Sequence, residues 1–200
     1  MIKGLQTRCT REIAVFQVDN PKAGDFRLPV DGKVVRLNYM DGVKILKEAG
    51  EDVNKLESFE TDFSTAQEQH LGKLMRDKYN TDFYVLDKFP MAVRPFYTMP
   101  CPNDPNFSNS YDFFMRGEEI MSGAQRIHEP ELLIQQMKKK DPPLDPEADG
   151  FKDYVDAFRY GCPPHAGGGL GLNRIVQFFL GLKDVREATF FPRDPGRLAP

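Results

Sequence analysis

The sequence is most informative at Ser110-Tyr-Asp-Phe-Phe-Met-Arg-Gly-Glu-Glu-Ile-Met-Ser-Gly-Ala-Gln-Arg-Ile-His128. Apolar and aromatic residues dominate positions 111–115 and 120–127, which predicts two strands. Residues 83–86 and 93–99 have the same character, and turn-forming Pro, Asn and Asp residues separate the four segments. Four consecutive strands between helices predict an antiparallel α+β domain rather than a βαβ alternation.

The second half of this stretch also carries side chains that bind ligands. Glu119 can hold a divalent cation, Ser122 offers a small hydroxyl, and Arg126 can fork onto a carboxylate or a phosphate. Glu119 and Ser122 have opposite parity on a flat strand, so joint action requires a bulge, which we expect at Gly123. Glu118 should face the other side. This mixture predicts a site for an anionic small molecule and a metal.

Helices are expected on both sides of the strands. Ser64 and Gln67 have capping-box spacing, so a helix should open there and run to about residue 78. Further helices are expected at 1–17, 39–49, 130–139 and 151–158, with a short strand at 34–37 and an irregular connector at 18–33.

A second stretch with chemical potential is Pro163-Pro-His-Ala-Gly-Gly-Gly-Leu-Gly-Leu-Asn-Arg174, followed by an apolar run to residue 180. Its glycines lack the dinucleotide-binding spacing, and no P-loop lysine follows them. They would let the backbone lie flat against a ligand, and a helix beginning near Gly171 would aim N–H groups and Arg174 at a phosphate or planar base. Equally open is a glycine-rich strand beneath a buried helix, with Arg174 paired to a core carboxylate.

Composition sets the outer limits. Two hundred residues, 40% of them hydrophobic, fit one domain or one domain with an appendage. No apolar run approaches the ~20 residues that a membrane span requires, and residues 1–6 lack a signal-peptide core, so we expect a cytoplasmic protein. Cys9, Cys101 and Cys162 are too few and too scattered for a disulfide framework or a zinc motif, and we expect buried thiols.

The formal net charge of −3 and a pI near 5.7 give no overall basic surface for nucleic acid. Lys138-Lys139-Lys140 is the only short basic run. At the end of a predicted helix it is expected to be a solvated C-terminus that complements the helix dipole, rather than a phosphate contact.

Residues 165–198 resemble motif 3 and the C-terminus of class II aminoacyl-tRNA synthetases, a fold built on an antiparallel sheet flanked by helices. Residues 110–130 narrow the resemblance to aspartyl-tRNA synthetases of the eukaryotic cytosolic and archaeal kind. Residues 82–90 and 94–100 match the same family. The resemblance covers nearly the whole chain and is specific, since the relatives that act on asparagine lack the Ser-Gly-Ala-Gln-Arg-Ile-His sequence of residues 122–128.

The resemblance implies a role for each matching residue. Arg126 would clamp the side-chain carboxylate of L-aspartate beside Ser122, while Glu119, with Ser122 and Asp112, would hold Mg²⁺. Arg174 would contact the adenine or the γ-phosphate of ATP and, with Glu119, would be catalytic. Gly171, Leu172 and Asn173 would contact ATP through their backbone. His165 would either approach the aspartate or support its own turn, whereas His70 and His128 would be structural. Asn173 stands where most of the family has an acidic residue, and we expect a tolerated variant.

The implied reaction is that of an aspartate–tRNA ligase. The α-carboxylate of aspartate attacks the α-phosphorus of ATP, pyrophosphate leaves, and the aspartyl group passes to tRNA(Asp). Positioning and charge neutralisation by Mg²⁺ and arginine would accelerate this chemistry. Family members are homodimers through motif 1.

We find neither motif 1 nor motif 2 nor an anticodon-binding domain in residues 1–200. The chain is therefore expected to be the C-terminal portion of the catalytic domain, with unpaired sheet edges and little activity alone. Two alternatives are a paralogue that makes aspartyl-adenylate without tRNA, and a non-catalytic binding module derived from a synthetase.

Overall fold

The computed structural model describes residues 1–198, and a five-stranded sheet runs through its centre. The strands lie side by side in chain order: β1 Val35–Asn38, β2 Phe83–Asp87, β3 Ser110–Met115, β4 Glu118–Arg126 and β5 His165–Leu170. The α+β class is confirmed. However, the sheet is mixed rather than wholly antiparallel, because β1 pairs in parallel with β2 across a helical connection.

Eight α-helices lie within residues 1–198: α1 Ile2–Arg8, α2 Thr10–Asp19, α3 Tyr39–Glu48, α4 Asn54–Glu57, α5 Thr65–Tyr79, α6 Pro130–Lys138, α7 Lys152–Arg159 and α8 Leu172–Leu180. The capping box is confirmed, since the side chains of Ser64 and Gln67 each accept a hydrogen bond from the other residue's backbone N–H. The single helix expected over 1–17 is wrong. The chain leaves helical geometry at Cys9, with φ −112° and ψ 30°, so α1 and α2 are separate.

The strand expected at 93–99 is also wrong. Pro95 and Pro100 have no N–H to donate to a ladder, and the N–H of Thr98 instead closes a turn onto the carbonyl of Pro95 at 3.0 Å. The backbone of this segment pairs with β4 at one bridge, between Thr98 and Arg126. It therefore crosses the end of the sheet as an irregular wall.

The bulge in β4 lies at Ile120, not at Gly123 as expected. In the ladder between β3 and β4, Phe113 pairs with Met121, and the next residue of β3 pairs with Glu119. Ile120 is thus the additional residue. This shift changes which side chains share a face of the sheet.

Three buried clusters hold these layers together. On one face of the sheet, Tyr84, Leu86 and Phe114 pack beneath α3 and α5. The opposite face packs against α8 through Ile175 and Phe178. A third cluster lies where α6 and α7 pack together, and its buried members are Ile127, Leu133, Met137, Val155 and Phe158. The third cluster supports the irregular wall, because Phe96, Tyr97 and Met99 pack on it.

Helix α5 and the turn between β3 and β4 approach each other backbone to backbone. A Cβ atom on Gly72 would lie 2.3 Å from the Cα of Gly117. Gly117 also has a φ of +78°, which side chains rarely tolerate. These two glycines fix the N-terminal half of α5 close to the start of β4.

All three cysteines are free, but only Cys101 is fully buried. No helix within residues 1–198 combines the length and the apolar character needed to cross a bilayer. Lys140 is not part of a solvated helix end as expected, because its ammonium group donates hydrogen bonds to the carbonyls of Met91 and Arg94. Burial lowers the pKa of Lys140.

Candidate functional site

A cavity of about 510 Å³ lies where β4, β5 and the irregular wall meet. Residues 167–169 line it from β5, and Arg94, Ser122 and Arg126 line it from the other sides. The two stretches singled out in the sequence are therefore neighbours, since β4 and β5 pair in register along this cavity.

The bulge at Ile120 places the predicted ligand-binding side chains on one face. Ser122 pairs with Asp112 on β3, and Glu119 lies on the same side because the extra residue reverses the alternation. Arg126 follows Ser122 by four residues and shares this face. The requirement for a bulge was correctly recognised, although its position was not.

Arg94 is the side chain that ties this face together. One terminal nitrogen donates to the Ser122 hydroxyl at 3.2 Å, and the other donates to the carboxylate of Asp112. The guanidinium also lies 3.8 Å from the centre of the Phe89 ring. The side chains of Arg94 and Asp112 are only 10% and 4% exposed, so this is a buried ion pair.

Arg126 is positioned at the same cavity by different neighbours. Its guanidinium lies over the ring of Tyr97, 4.8 Å from the ring centre. Residues 167–169 of β5, which we call the glycine floor, run beside it. A Cβ atom on Gly167 would lie 3.9 Å from the Nε atom of Arg126. A flat, half-buried guanidinium above open glycines can form two parallel hydrogen bonds with a carboxylate.

Carboxylates accumulate between the cavity and α5. Burial raises the pKa of Glu68 to about 8, and Glu119, Asp62 and Asp112 add to the rise. Burial also raises the pKa of Glu119, and the negative charge of Asp112 raises it further. The positive charge of Arg174 opposes the rise in pKa at both Glu68 and Glu119. Within residues 1–198, no group of three or more His, Cys, Asp or Glu side chains has metal-binding geometry. The predicted magnesium site therefore remains a prediction.

The residues for Mg²⁺ nevertheless suit a hard cation. Asp112 has a buried oxygen, Oδ1, with no hydrogen-bond partner within the described residues. Glu119 and Ser122 supply further oxygens on the same face, and oxygen is the ligand that Mg²⁺ prefers. Glu119 and its acidic neighbours repel one another, and a bound cation would relieve this repulsion.

The predicted nucleotide contacts follow the end of β5 that is farther from Arg126. Helix α8 follows its N-cap residue Gly171, which provides no side-chain cap, and Leu172, Asn173 and Arg174 in the first turn are exposed. Arg174 donates to the backbone carbonyl of Glu119 at 2.7 Å. In the described chain Arg174 forms no salt bridge with a core carboxylate. The alternative expectation, in which such an ion pair fixes Arg174, is therefore not what the structure shows.

The histidines differ in their surroundings. His165 lies at the start of β5, opposite Arg126, and its Nδ1 atom is 3.0 Å from the carbonyl of Pro163. That contact supports its own turn. The other two histidines contact neighbours outside the cavity: His70 Nδ1 lies 2.6 Å from Glu51, and His128 Nε2 lies 3.8 Å from Glu129. Glu118 also points to a neighbour outside the cavity, because it accepts a hydrogen bond from Gln69 at 3.1 Å.

Two site residues, Arg94 and Glu68, were not predicted from the sequence. Arg94 was noted only within a matching segment, although it is the one charged residue in the apolar stretch 91–100, which is a signal for a buried cation. Glu68 directly follows the capping box, where an acidic residue is easily explained by the helix dipole alone.

Comparison with known proteins supports the resemblance seen in the sequence. The model of tRNA synthetases class II (D, K and N) matches residues 1–195. The chain is 50% identical to the cytoplasmic aspartate–tRNA ligase of Rattus norvegicus and 49% identical to that of Homo sapiens, each over 201 aligned residues. These alignments cover 100% of this chain but only 38% of each relative.

Solved structures give the same result. An aspartyl-tRNA synthetase from Entamoeba histolytica matches with a TM-score of 0.87 and 46% identity, over 100% of this chain and 39% of that one. Asparaginyl-tRNA synthetase from Pyrococcus horikoshii, complexed with asparaginyl-adenylate, matches with a TM-score of 0.79 and 29% identity, over 98% of this chain and 42% of that one. With a family model that matches residues 1–195, this chain belongs to the tRNA synthetases of class II (D, K and N).

Proposed function

We propose that this chain is the amino-acid-activating part of an aspartate–tRNA ligase. The observation that carries the proposal is the Arg126 guanidinium, held above a glycine floor at a cavity of about 510 Å³. Such a pocket accepts a small molecule with a carboxylate side chain. The relatives at 49–50% identity are named as aspartate–tRNA ligases, which favours L-aspartate over asparagine.

The proposed roles follow the geometry. Arg126 binds the side-chain carboxylate of aspartate, and Ser122, fixed by Arg94, lies beside it. Arg174 binds the phosphates or adenine of ATP. The backbone of residues 171–173, at the uncapped start of α8, contributes N–H groups to the nucleotide. Asn173 is exposed beside Arg174.

Mg²⁺ would be held by Glu119, with Asp112 and Ser122 as further oxygen ligands, and would neutralise charge on the ATP phosphates. The chain's own residues then orient the reactants. The α-carboxylate of aspartate attacks the α-phosphorus of ATP in line, pyrophosphate leaves, and the aspartyl group is transferred to tRNA(Asp) in the cytoplasm. Catalysis by Arg174 and Glu119 is electrostatic and positional.

Binding of a non-hydrolysable aspartyl-adenylate analogue, measured by isothermal titration calorimetry, tests this proposal. The matched ligand is the asparaginyl analogue, which differs only in the side-chain amide. We expect the aspartyl analogue to bind more tightly, and Arg126→Gln to remove the difference. Absence of heat with either analogue and with ATP would instead support a non-catalytic module.

Transfer to tRNA separates the proposal from its enzymatic alternative. In the whole protein, aspartate-dependent ATP–pyrophosphate exchange reports adenylate formation, and labelled aspartate in precipitated tRNA(Asp) reports transfer. We expect both signals. Exchange without transfer would identify a tRNA-independent enzyme that makes aspartyl-adenylate.

A further inference from the structure

Arg126 has no acidic partner in the part of the chain that the structure describes. Among residues 1–198, none of the salt bridges includes Arg126. An arginine at a cavity wall usually needs an anchor, because its long side chain loses considerable rotamer freedom when it is fixed. The anchors must therefore be found among uncharged neighbours.

Two tyrosines from different elements surround Arg126. Tyr97, on the irregular wall, lies beneath the guanidinium with its ring centre 4.8 Å from Cζ. Tyr154, on α7, is near enough that the positive charge of Arg126 opposes the rise in the pKa of Tyr154 that burial causes. The Tyr97 ring faces the cation with its negative π surface. The hydroxyl oxygen of Tyr154 is able to accept from the N–H groups of the same guanidinium.

Both tyrosines are themselves fixed. The ring of Tyr154 lies 4.9 Å from that of Phe158 and 6.3 Å from that of Phe96. The ring of Phe96 in turn packs on Tyr97 at 5.4 Å. The third buried cluster thus continues directly into the side chains that hold Arg126.

We propose that Tyr97 and Tyr154 are positioning residues that hold the Arg126 guanidinium for a carboxylate ligand without neutralising its charge. A carboxylate in their place would compete with the ligand for the same N–H donors. Tyrosines leave the full positive charge to the cavity, so an acidic side chain gains more from binding than a neutral amide does. The inference rests on the proposed function for the identity of that ligand.

The test uses Tyr154→Phe, which removes the hydroxyl and keeps the packed ring, and Tyr97→Leu, which removes the ring. Tyr97→Phe retains the π surface. Tyr160→Phe is the matched control, because Tyr160 follows α7 but is 92% exposed. We expect Tyr154→Phe to weaken the aspartyl-adenylate analogue about tenfold and Tyr97→Leu about fivefold. AMP, which lacks the aspartyl group, should bind all variants equally.

Equal weakening of the aspartyl analogue and AMP, or no change with either tyrosine variant, would overturn the inference. A second measurement does not depend on ligand binding. In ¹⁵N-arginine spectra, with the signal assigned through Arg126→Lys, the Nε–Hε resonance of Arg126 should be protected in wild type and Tyr97→Phe. It should exchange faster in Tyr154→Phe and Tyr97→Leu. If wild type fails to bind the analogue but shows this pattern, the proposed function fails while the positioning role stands.

Discussion

Two arginines line the cavity, and their surroundings are opposite in kind. We call the side formed by Arg94 with Asp112 the Arg94 wall, and the side formed by Arg126 with Tyr97 the Arg126 wall. Arg94 is buried and forms a salt bridge with Asp112, and it also donates a hydrogen bond to the Ser122 hydroxyl. Arg126 is half-buried, lies against the Tyr97 ring and forms no salt bridge within residues 1–198. The difference indicates a division of labour, in which the first wall provides rigidity and the second provides binding energy. Each wall should therefore respond to mutation in a different measurement.

The largest effect on folding should come from the Arg94 wall. Asp112→Asn removes the carboxylate that is paired with the buried guanidinium, and breaking a buried pair costs about 3–5 kcal/mol. We expect the free energy of unfolding, measured by urea denaturation without ligand, to fall by about 3 kcal/mol.

The double variant Arg94→Met/Asp112→Leu is the control for this prediction. It replaces both charges with apolar groups and should lose less stability than the single variant, because no unpaired charge remains. Equal losses in the single and double variants would show that packing, and not the ion pair, stabilises this wall.

The largest effect on binding should come from the Arg126 wall. Arg126→Gln removes the charge that a carboxylate ligand requires, and we expect affinity for the aspartyl-adenylate analogue to fall about 100-fold, from about 3 kcal/mol of charged hydrogen bonding. Arg126→Lys keeps the charge but loses the fork, so it should recover only part of the affinity.

Stability again provides the contrast. Neither variant of Arg126 should change the free energy of unfolding by more than about 1 kcal/mol, because no buried partner is left unpaired. A loss similar to that of Asp112→Asn would remove the distinction between the two walls.

Neighbouring glycines of the floor offer a finer version of the same contrast. A Cβ atom on Gly168 would lie 2.6 Å from the Met121 methyl and 2.9 Å from the Ser122 carbonyl, whereas one on Gly169 would meet no atom within 4 Å. Gly169 pairs with Ser122, so that Cβ would enter the ligand space. Gly168→Ala should cost about 1–3 kcal/mol of stability. Gly169→Ala should preserve the unfolding midpoint and weaken binding of the analogue. Identical thermal shifts for both would contradict the assignment of faces.

The sequence predicted the elements better than their pairing. The capping box at Ser64 is visible because both partners are three residues apart. The bulge was expected at Gly123 because glycine tolerates irregular backbone, but Gly123 is small for another reason. A Cβ atom there would lie 2.6 Å from the Tyr111 ring. The extra residue is Ile120, and only the register against β3 reveals it.

The candidate site was predicted where its residues lie close together in the chain. Glu119, Ser122 and Arg126 share one strand, and the resemblance gave them roles. The residues that hold them come from distant elements, as Arg94 does from the irregular wall and Tyr154 from α7. Such support depends on tertiary packing, which neither spacing nor periodicity encodes.

The smallest effect tests the carboxylates behind the Arg94 wall. Burial and neighbouring Glu119 raise the pKa of Glu68 from 4.5 to about 8. Between these values the folded chain holds a proton that the unfolded chain releases, so this residue lowers stability as pH rises. In Glu68→Gln the unfolding midpoint, measured with EDTA from pH 5 to 8, should fall less steeply than in wild type. At pH 8 the variant should be the more stable protein. Exposed Glu48→Gln should leave the slope unchanged, and an unaltered slope in Glu68→Gln would show that Glu68 is already ionised in the fold.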